Sequence, residues 1–363
     1  MTAMYYKVRH YQYKNRIGNL RAEAVGVVSG EKHFPIFPGN MIFKPLTKSK
    51  PFSTPLYAYA EVFWSTIINE YFMPAPRYEL AICEGYEAAN EKYLDYGTTV
   101  PMAYKEGENL LNLLEFFRKY PDEKVDIDNY VNYCQMFYDY RDIFEADFFQ
   151  EHQEMAEQLA MQVLISVLKG DQNYHYENVA FLCDKDGGII SLAPMIDHEF
   201  STYFMFPDDI SRHVYWLMEL SKSIRGWEVR PGEYDNFKDP EERKLMEKSA
   251  TCIHKNLLYI KEHYPQTTEE FLDKAEKLKT ALTEASEDFL IRGNTEYSDC
   301  ADSSAWLIGK ARYKDKDEEK ASAYEAELYG KGKKLDFRDV SISAINEIKA
   351  VISQMEEVLG KRE

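Results

Sequence analysis

Two short passages hold the side chains best suited to chemistry. One is Gly170-Asp171-Gln172-Asn173-Tyr174-His175-Tyr176-Glu177-Asn178, and the other is Leu192-Ala193-Pro194-Met195-Ile196-Asp197. Between them, Val179–Cys183 and Ile189–Ala193 read as strands around a turn at Asp184-Lys185-Asp186-Gly187-Gly188. A hairpin returns the chain to its starting point, so Asn178 at one end and Asp197 at the other can converge on one divalent cation through hard oxygen ligands. The chemistry that asks for such a pair is phosphoryl transfer. It needs phosphates positioned, their charge neutralised and an acceptor hydroxyl oriented, with little covalent help from the protein. An Asn and an Asp that only cap turns fit the same pattern, and the surrounding elements decide between the two readings.

Those elements divide into two textures. Residues 4–45 are strand-like, with short runs rich in Tyr, Val, Ile and Phe punctuated by Gly18, Gly26, Gly30 and Gly39. Ser53-Thr54-Pro55 then offers an N-cap and a first-turn proline. Leu56, Ala60, Phe63, Ile67 and Ile68 supply the apolar face of the helix that follows, up to Met73-Pro74-Ala75-Pro76. Further extended segments are expected over Arg77–Cys83 and near Thr98–Ala103. From Glu106 the pattern turns helical. Leu110, Leu111, Leu114 and Phe117 mark one helix, and residues 151–169 carry Met155, Leu159, Val163, Leu164, Val167 and Leu168 at helical spacing. From Asp208 the chain reads as about five helices, with Thr267-x-x-Glu270 as a capping box and Val340–Leu359 as an amphipathic terminal helix. The expected fold is α+β: a small β-rich N-terminal lobe over 1–103 and a large helical C-terminal lobe over 104–363.

Taken together, the two passages resemble the catalytic loop and metal-binding segment of HipA-like kinases, bacterial Ser/Thr kinases of the protein-kinase and phosphatidylinositol-kinase fold. The family loop runs N-x-D-x-H-x-x-N, and after a hairpin comes an L-A-P-x-Y-D-like segment. His175 and Asn178 keep the H-x-x-N spacing, and Leu192 to Asp197 fits the second segment. The resemblance implies Asn178 and Asp197 as Mg²⁺ ligands and His175 as a brace of the loop. Met41-Ile42-Phe43-Lys44-Pro45 is similar to the family strand whose lysine touches ATP phosphates. Glu61, in the following helix, is the fitting partner for Lys44. Val28-Ser29-Gly30-Glu31-Lys32 resembles the phosphate-covering loop, which makes Ser29, Gly30 and Lys32 candidate phosphate contacts. Thr98 to Ala103 resembles the hinge, where Val100 and Met102 would meet adenine. One departure stands out: the family's catalytic Asp falls on Asn173, which cannot accept a proton as a carboxylate does. Asp171, two residues earlier, is the available substitute if the loop folds back.

The whole-chain figures narrow the partners. Net charge is −18, from 62 acidic and 44 basic side chains, which disfavours direct nucleic-acid binding and anionic membranes. No window approaches about 18 uninterrupted apolar residues, and the opening MTAMYYKVRHYQYKN lacks an apolar secretion signal, so a cytoplasmic location is expected. The five cysteines show no CxxC spacing and read as small buried thiols in a reducing compartment. The consecutive Asp197-His198-Glu199 makes a poor metal cluster, because neighbouring side chains diverge. The expected activity is transfer of phosphate from ATP with Mg²⁺ to a protein Ser/Thr, and a small antitoxin-like partner is implied by resemblance alone. The rival of a different class is a nucleotide-binding pseudokinase serving as a protein interaction module. A purely helical scaffold without a nucleotide site is the third reading, and scattering of Lys44, Glu61, Asn178 and Asp197 would favour it.

Overall fold

In PLYAYAEVFWSTI, residues Pro55–Ile67, there is scarcely a polar face, and a helix that is apolar all round has to be covered all round. It is. In this computed structural model every residue from Tyr57 to Ile68 is buried, and Pro55 stands at the first helical position, where its missing N–H costs nothing. This helix, α1, runs into a π-helical turn, Ile68–Phe72, and the chain then reverses. The structure describes residues 9–12, 36–37, 41–45, 55–86, 93–101, 107–126, 138–171, 174–198, 201–204, 210–227, 240–284 and 337–360. Ser29, Gly30, Lys32, Met102 and Asn173, the Ser53-Thr54 cap and the lobe boundary near 103 lie outside them.

One cover of α1 is a five-stranded sheet of β1 (Arg9–Gln12), β2 (Ile36–Phe37), β3 (Met41–Pro45), β4 (Glu79–Tyr86) and β5 (Tyr93–Pro101). Its order is β1-β4-β5-β3-β2, with β1 parallel to β4 and the other pairs antiparallel. The register sets Lys44 opposite Thr98 and Ile42 opposite Val100, so the expected phosphate and adenine positions sit two residues apart on adjoining strands.

The other cover is helical. Helix α5 (Gln153–Lys169) is buried along nearly its whole length and packs on α7 (Pro240–His263), α8 (Pro265–Glu284) and α9 (Phe337–Leu359), with α6 (Ile210–Arg225) against α7 and α9. Short helices α2 (Leu113–Lys119), α3 (Arg141–Glu145) and α4 (Asp147–Glu151) precede α5. Phe72 stacks on Phe271 of α8, and Lys274 donates to the Phe72 carbonyl, so the end of α1 is fastened to the helical lobe. The architecture is α+β, a β-rich N-terminal lobe on a helical C-terminal lobe.

Two expectations are corrected. Leu110 and Leu111 belong to a strand, β6 (Asn109–Asn112), rather than to a helix. Their backbones pair with β7 (Ala180–Cys183), which pairs with β8 (Ile189–Leu192), making a three-stranded sheet instead of a lone hairpin. The helix begins only at Leu113, because the Asn112 side chain accepts the Glu115 N–H at 2.7 Å and caps it there. Likewise Thr267 is no N-cap. With Pro265 opening α8, Thr267 and Thr268 lie within its first turn, and the Thr268 hydroxyl donates back to the Tyr264 carbonyl.

Several buried phenols hold the helical lobe together by donating their only proton. Tyr140 donates to the Tyr174 carbonyl, Tyr174 to Gln162 Oε1 and Tyr203 to the Leu168 carbonyl. Burial pushes all three well above the ordinary tyrosine value of 10.0. Above that value the unfolded chain loses these protons while the native state keeps them, so the stability they carry is complete below pH 10 and declines as pH rises further. The expected decline is about 1.4 kcal/mol per pH unit for each such phenol. Denaturant midpoints from pH 8 to 11 should fall above pH 10, and less steeply in Tyr203→Phe; identical slopes would show that the phenol does not contribute.

Candidate functional site

Glu61 lies halfway along α1, where every neighbouring face is apolar, and it is only 1% exposed. A carboxylate buried so deeply needs charged or N–H partners. It has both. Lys44 on β3 donates to Glu61 Oε1, and the backbone N–H of His198 donates to Glu61 Oε2 at 3.0 Å. The Lys44 ammonium also contacts Asp197 Oδ1 at 2.5 Å. Residues separated by 17 and 153 positions along the chain thus meet at one ammonium group.

Asp197 reaches this point in an uncommon conformation, with φ 60°, the only described non-glycine residue at positive φ. Asp and Asn tolerate that left-handed region better than other branched or bulky residues. The Asp197 N–H donates to the Tyr78 phenolic oxygen at 3.3 Å. Burial raises the Tyr78 phenol well above its ordinary value, and the nearby Glu61 charge adds to the shift. Asp197 remains the most open of the group, its side chain 23% exposed against 17% for Lys44 and 1% for Glu61.

Asn178 lies on the other arm of the hairpin and is buried, 6% exposed. The ladder pairs Phe181 with Leu192, and the Ala193 N–H donates to the Ala180 carbonyl at 2.7 Å. Both arms therefore leave the sheet at the same end, with Asn178 two residues before Ala180 and Asp197 four after Ala193. The Asn178 N–H donates to the His175 carbonyl, and His175 Nδ1 accepts the Glu177 N–H at 3.2 Å, so the imidazole is tied into the turn it belongs to. Tyr176, on the same turn, donates its phenol to the Asp139 carbonyl, and Leu113 N–H bonds back to the Tyr176 and Val179 carbonyls. Val100 is buried on β5, 8% exposed.

Asp171 goes elsewhere. Its side chain is 2% exposed and paired at 2.6 Å with Lys169, which is itself fully buried. The Lys169 ammonium lies 3.0 Å from His198 Nδ1, which must then be the acceptor, so the imidazole proton sits on Nε2. Burial, and after it the Lys169 charge, holds the His198 imidazole well below its ordinary value. Asp171 is thus a counterion inside the lobe. Its backbone is fixed there, because Gly170 caps α5 in the left-handed conformation (φ 57°) and the Asp171 N–H is spent on the Ser166 carbonyl.

Tyr78 and Lys169 are not singled out by the sequence, and His198 enters it only within a triplet set aside as a metal cluster. A signal did exist for Lys169: Gln162, Ser166 and Lys169 recur at helical spacing in an otherwise apolar run and form a buried polar stripe. Tyr78 carried none.

Among the described residues no group of three or more His, Cys, Asp or Glu is placed to hold a metal ion. One carboxylate, Asp197, and one amide, Asn178, are too few for an all-protein cage. They do suit Mg²⁺, which takes one or two protein oxygens and fills its octahedron from water and a substrate's phosphates. No family model matches this sequence, and no curated protein matches it either. Five chains of solved structures do match. One is described as the crystal structure of a Helicobacter pylori proinflammatory kinase, CtkA. It aligns over 89% of this chain and 99% of its own at 12% identity and a TM-score of 0.42. No helix among the described residues is long and apolar enough to cross a membrane.

The conformation of Asp197 is open to direct test. Asn accepts positive φ where Ala does not, so Asp197→Asn should be about 1 kcal/mol more stable than Asp197→Ala by chemical denaturation. Equal midpoints would show that the φ of 60° imposes no cost.

Proposed function

We propose that this protein is an ATP- and Mg²⁺-dependent phosphotransferase of HipA-like type acting on a protein Ser/Thr. The observation that carries the reading is the meeting of Lys44 with both Glu61 and Asp197. A lysine held by a helix carboxylate is aimed at a fixed point, which is what a phosphate contact requires. On this reading Asn178 and Asp197 hold Mg²⁺, Lys44 steadies the phosphates, and Val100 and Met102 flank adenine. Ser29, Gly30 and Lys32 cover the phosphates, and His175 keeps the loop in shape. The clustering argues against a purely helical scaffold. Mg²⁺, when bound, supplies charge neutralisation and orientation of the phosphates.

A second reading is favoured by one specific observation, the burial of Asp171 against Lys169. With Asp171 occupied and Asn173 at the family's acid position, no carboxylate in 171–178 other than Glu177 is left to take the acceptor proton. The protein is then a nucleotide-binding pseudokinase working as an interaction module. Loose phosphoryl transfer depends weakly on a base, so slow turnover remains compatible with the first reading.

Two measurements decide. Mg²⁺·ATP should stabilise the fold by about 2.7 kcal/mol at 100 times its dissociation constant, and Lys44→Met or Asp197→Asn should remove most of that gain. No stabilisation at millimolar Mg²⁺·ATP would sink both readings. Autophosphorylation and ATP hydrolysis should be slow in the wild type and rise at least about tenfold in Asn173→Asp. A silent wild type that binds Mg²⁺·ATP and is revived by this change selects the pseudokinase. Rapid wild-type turnover unaffected by it would mean that proton transfer lies elsewhere.

A further inference from the structure

Lys169 ends α5 on three contacts that lead to different parts of the molecule. Its ammonium is held by Asp171 at 2.6 Å and reaches His198 Nδ1 at 3.0 Å. Its carbonyl accepts the Ser201 hydroxyl at 2.8 Å, and the same hydroxyl oxygen accepts the Trp64 indole N–H of α1 at 2.8 Å. His198 is the residue after Asp197, fully buried, and its backbone N–H ends on Glu61. The segment from Asp197 to Ser201 is therefore pinned at both ends between α1 and the end of α5, and Lys169 is the group that touches both pins.

An ordinary structural role is the competing explanation, since a lysine in the last turn of a helix commonly interacts with the terminal carbonyls and the helix dipole. Lys169 does otherwise. Its ammonium is turned to a carboxylate and an imidazole, one residue from a side chain that stands at positive φ. A backbone in that region persists only where its surroundings hold it. The His198 ring, anchored by a buried cation, is a hold acting on the next peptide unit.

We infer that Lys169 is a positioning residue, which orients Asp197 toward the bound cation by clamping the His198 ring, with Asp171 as its counterion. This rests on the proposed Mg²⁺·nucleotide site. It also assigns Asp171 a task other than proton transfer.

The test separates metal affinity from nucleotide affinity in the full-length protein. Mn²⁺ serves as the probe, its free ion counted by electron paramagnetic resonance with ADP present. Calorimetry measures ADP binding in chelator. His198→Phe keeps a buried ring but cannot accept from Lys169. His198→Asn keeps an acceptor near the Nδ1 position. The double variant Lys169→Met/Asp171→Asn removes the clamp without leaving a lone buried charge. The expected result is Mn²⁺ binding weakened by about 10-fold or more in His198→Phe and in the double variant, as for outer partners of metal ligands elsewhere. His198→Asn should stay within about threefold of wild type, and metal-free ADP affinity within about twofold throughout. If His198→Phe does not fold, the double variant carries the same comparison. Wild-type Mn²⁺ affinity in a folded clamp variant overturns the inference. Loss of metal-free ADP binding in step with Mn²⁺ overturns it too, because that pattern marks general loosening. A wild type that binds neither Mn²⁺ nor ADP overturns the proposed function itself.

Discussion

A single buried carboxylate dictates how the two lobes meet. Glu61 is carried into the interior by α1, whose other faces are apolar, and a charge in that setting is tolerated only with its partners in place. One partner, Lys44, comes from the N-terminal sheet. The other, the His198 N–H, comes from the segment leaving the second sheet. Both contacts lie in a region that Trp64, Phe63, Tyr59 and Phe204 otherwise fill with rings, where each is worth more than it would be in water. The lobes are consequently registered by polar contacts of fixed geometry inside an apolar contact that alone would permit sliding. Hydrophobic burial supplies the bulk of the association, and Glu61 selects the one arrangement in which Asp197 stands over Lys44.

The same division of labour runs through the helical lobe. Its core side chains are interchangeable in kind, mostly Leu, Ile, Val and Phe, and set no register by themselves. Buried polar side chains do. Gln162 donates to the Ala193 carbonyl and accepts the Tyr174 phenol, which ties α5 to the strand exit on one side and the loop after Asp171 on the other. Asn256 of α7 accepts the Tyr140 N–H and donates to the Tyr138 carbonyl. Each replaces water at a backbone group that would otherwise be stranded. The loop bearing His175 and Asn178 is therefore rooted in α5, α7 and the first residue of α2, through contacts that involve neither Lys44 nor Asp197.

What could be read from the sequence follows the range of the forces involved. The helix at Pro55, α5 and the hairpin at 180–192 announce themselves through local spacing, because the apolar period and the turn residues are local quantities. The candidate residues Lys44, Glu61, Asn178 and Asp197 are legible only as motif fragments; that Lys44, Glu61 and Asp197 meet depends on the placing of β3 and α1 and on the His198 N–H that ends on Glu61. Leu110 and Leu111 misled because two leucines followed by two more at helical spacing look alike in a strand that leads into a helix. Only the Asn112 cap and the β6–β7 ladder separate them. The burial of Asp171 was hidden for a deeper reason. Its proximity in sequence to Asn173 is real, but its destination was set by Lys169, a residue two positions away whose burial no local pattern expresses except the Gln162–Ser166–Lys169 stripe.

Counting charge around the cleft gives the arrangement its chemical sense. Lys169 and Asp171 cancel, and His198 accepts from Lys169 as a neutral imidazole, so this inner group contributes no net charge. Among the described residues, what remains beside it is one cation, Lys44, between two anions, Glu61 and Asp197. A site with that balance holds a polyphosphate only weakly when it arrives alone, and a divalent cation on Asp197 would strengthen the hold. Had Asp171 faced the same point as a third acid, the opposition to phosphate would have been greater and Lys169 would have been left buried without its counterion. On the proposed reading, the ion pair behind the site keeps the negative charge beside Lys44 small enough for one metal ion to offset.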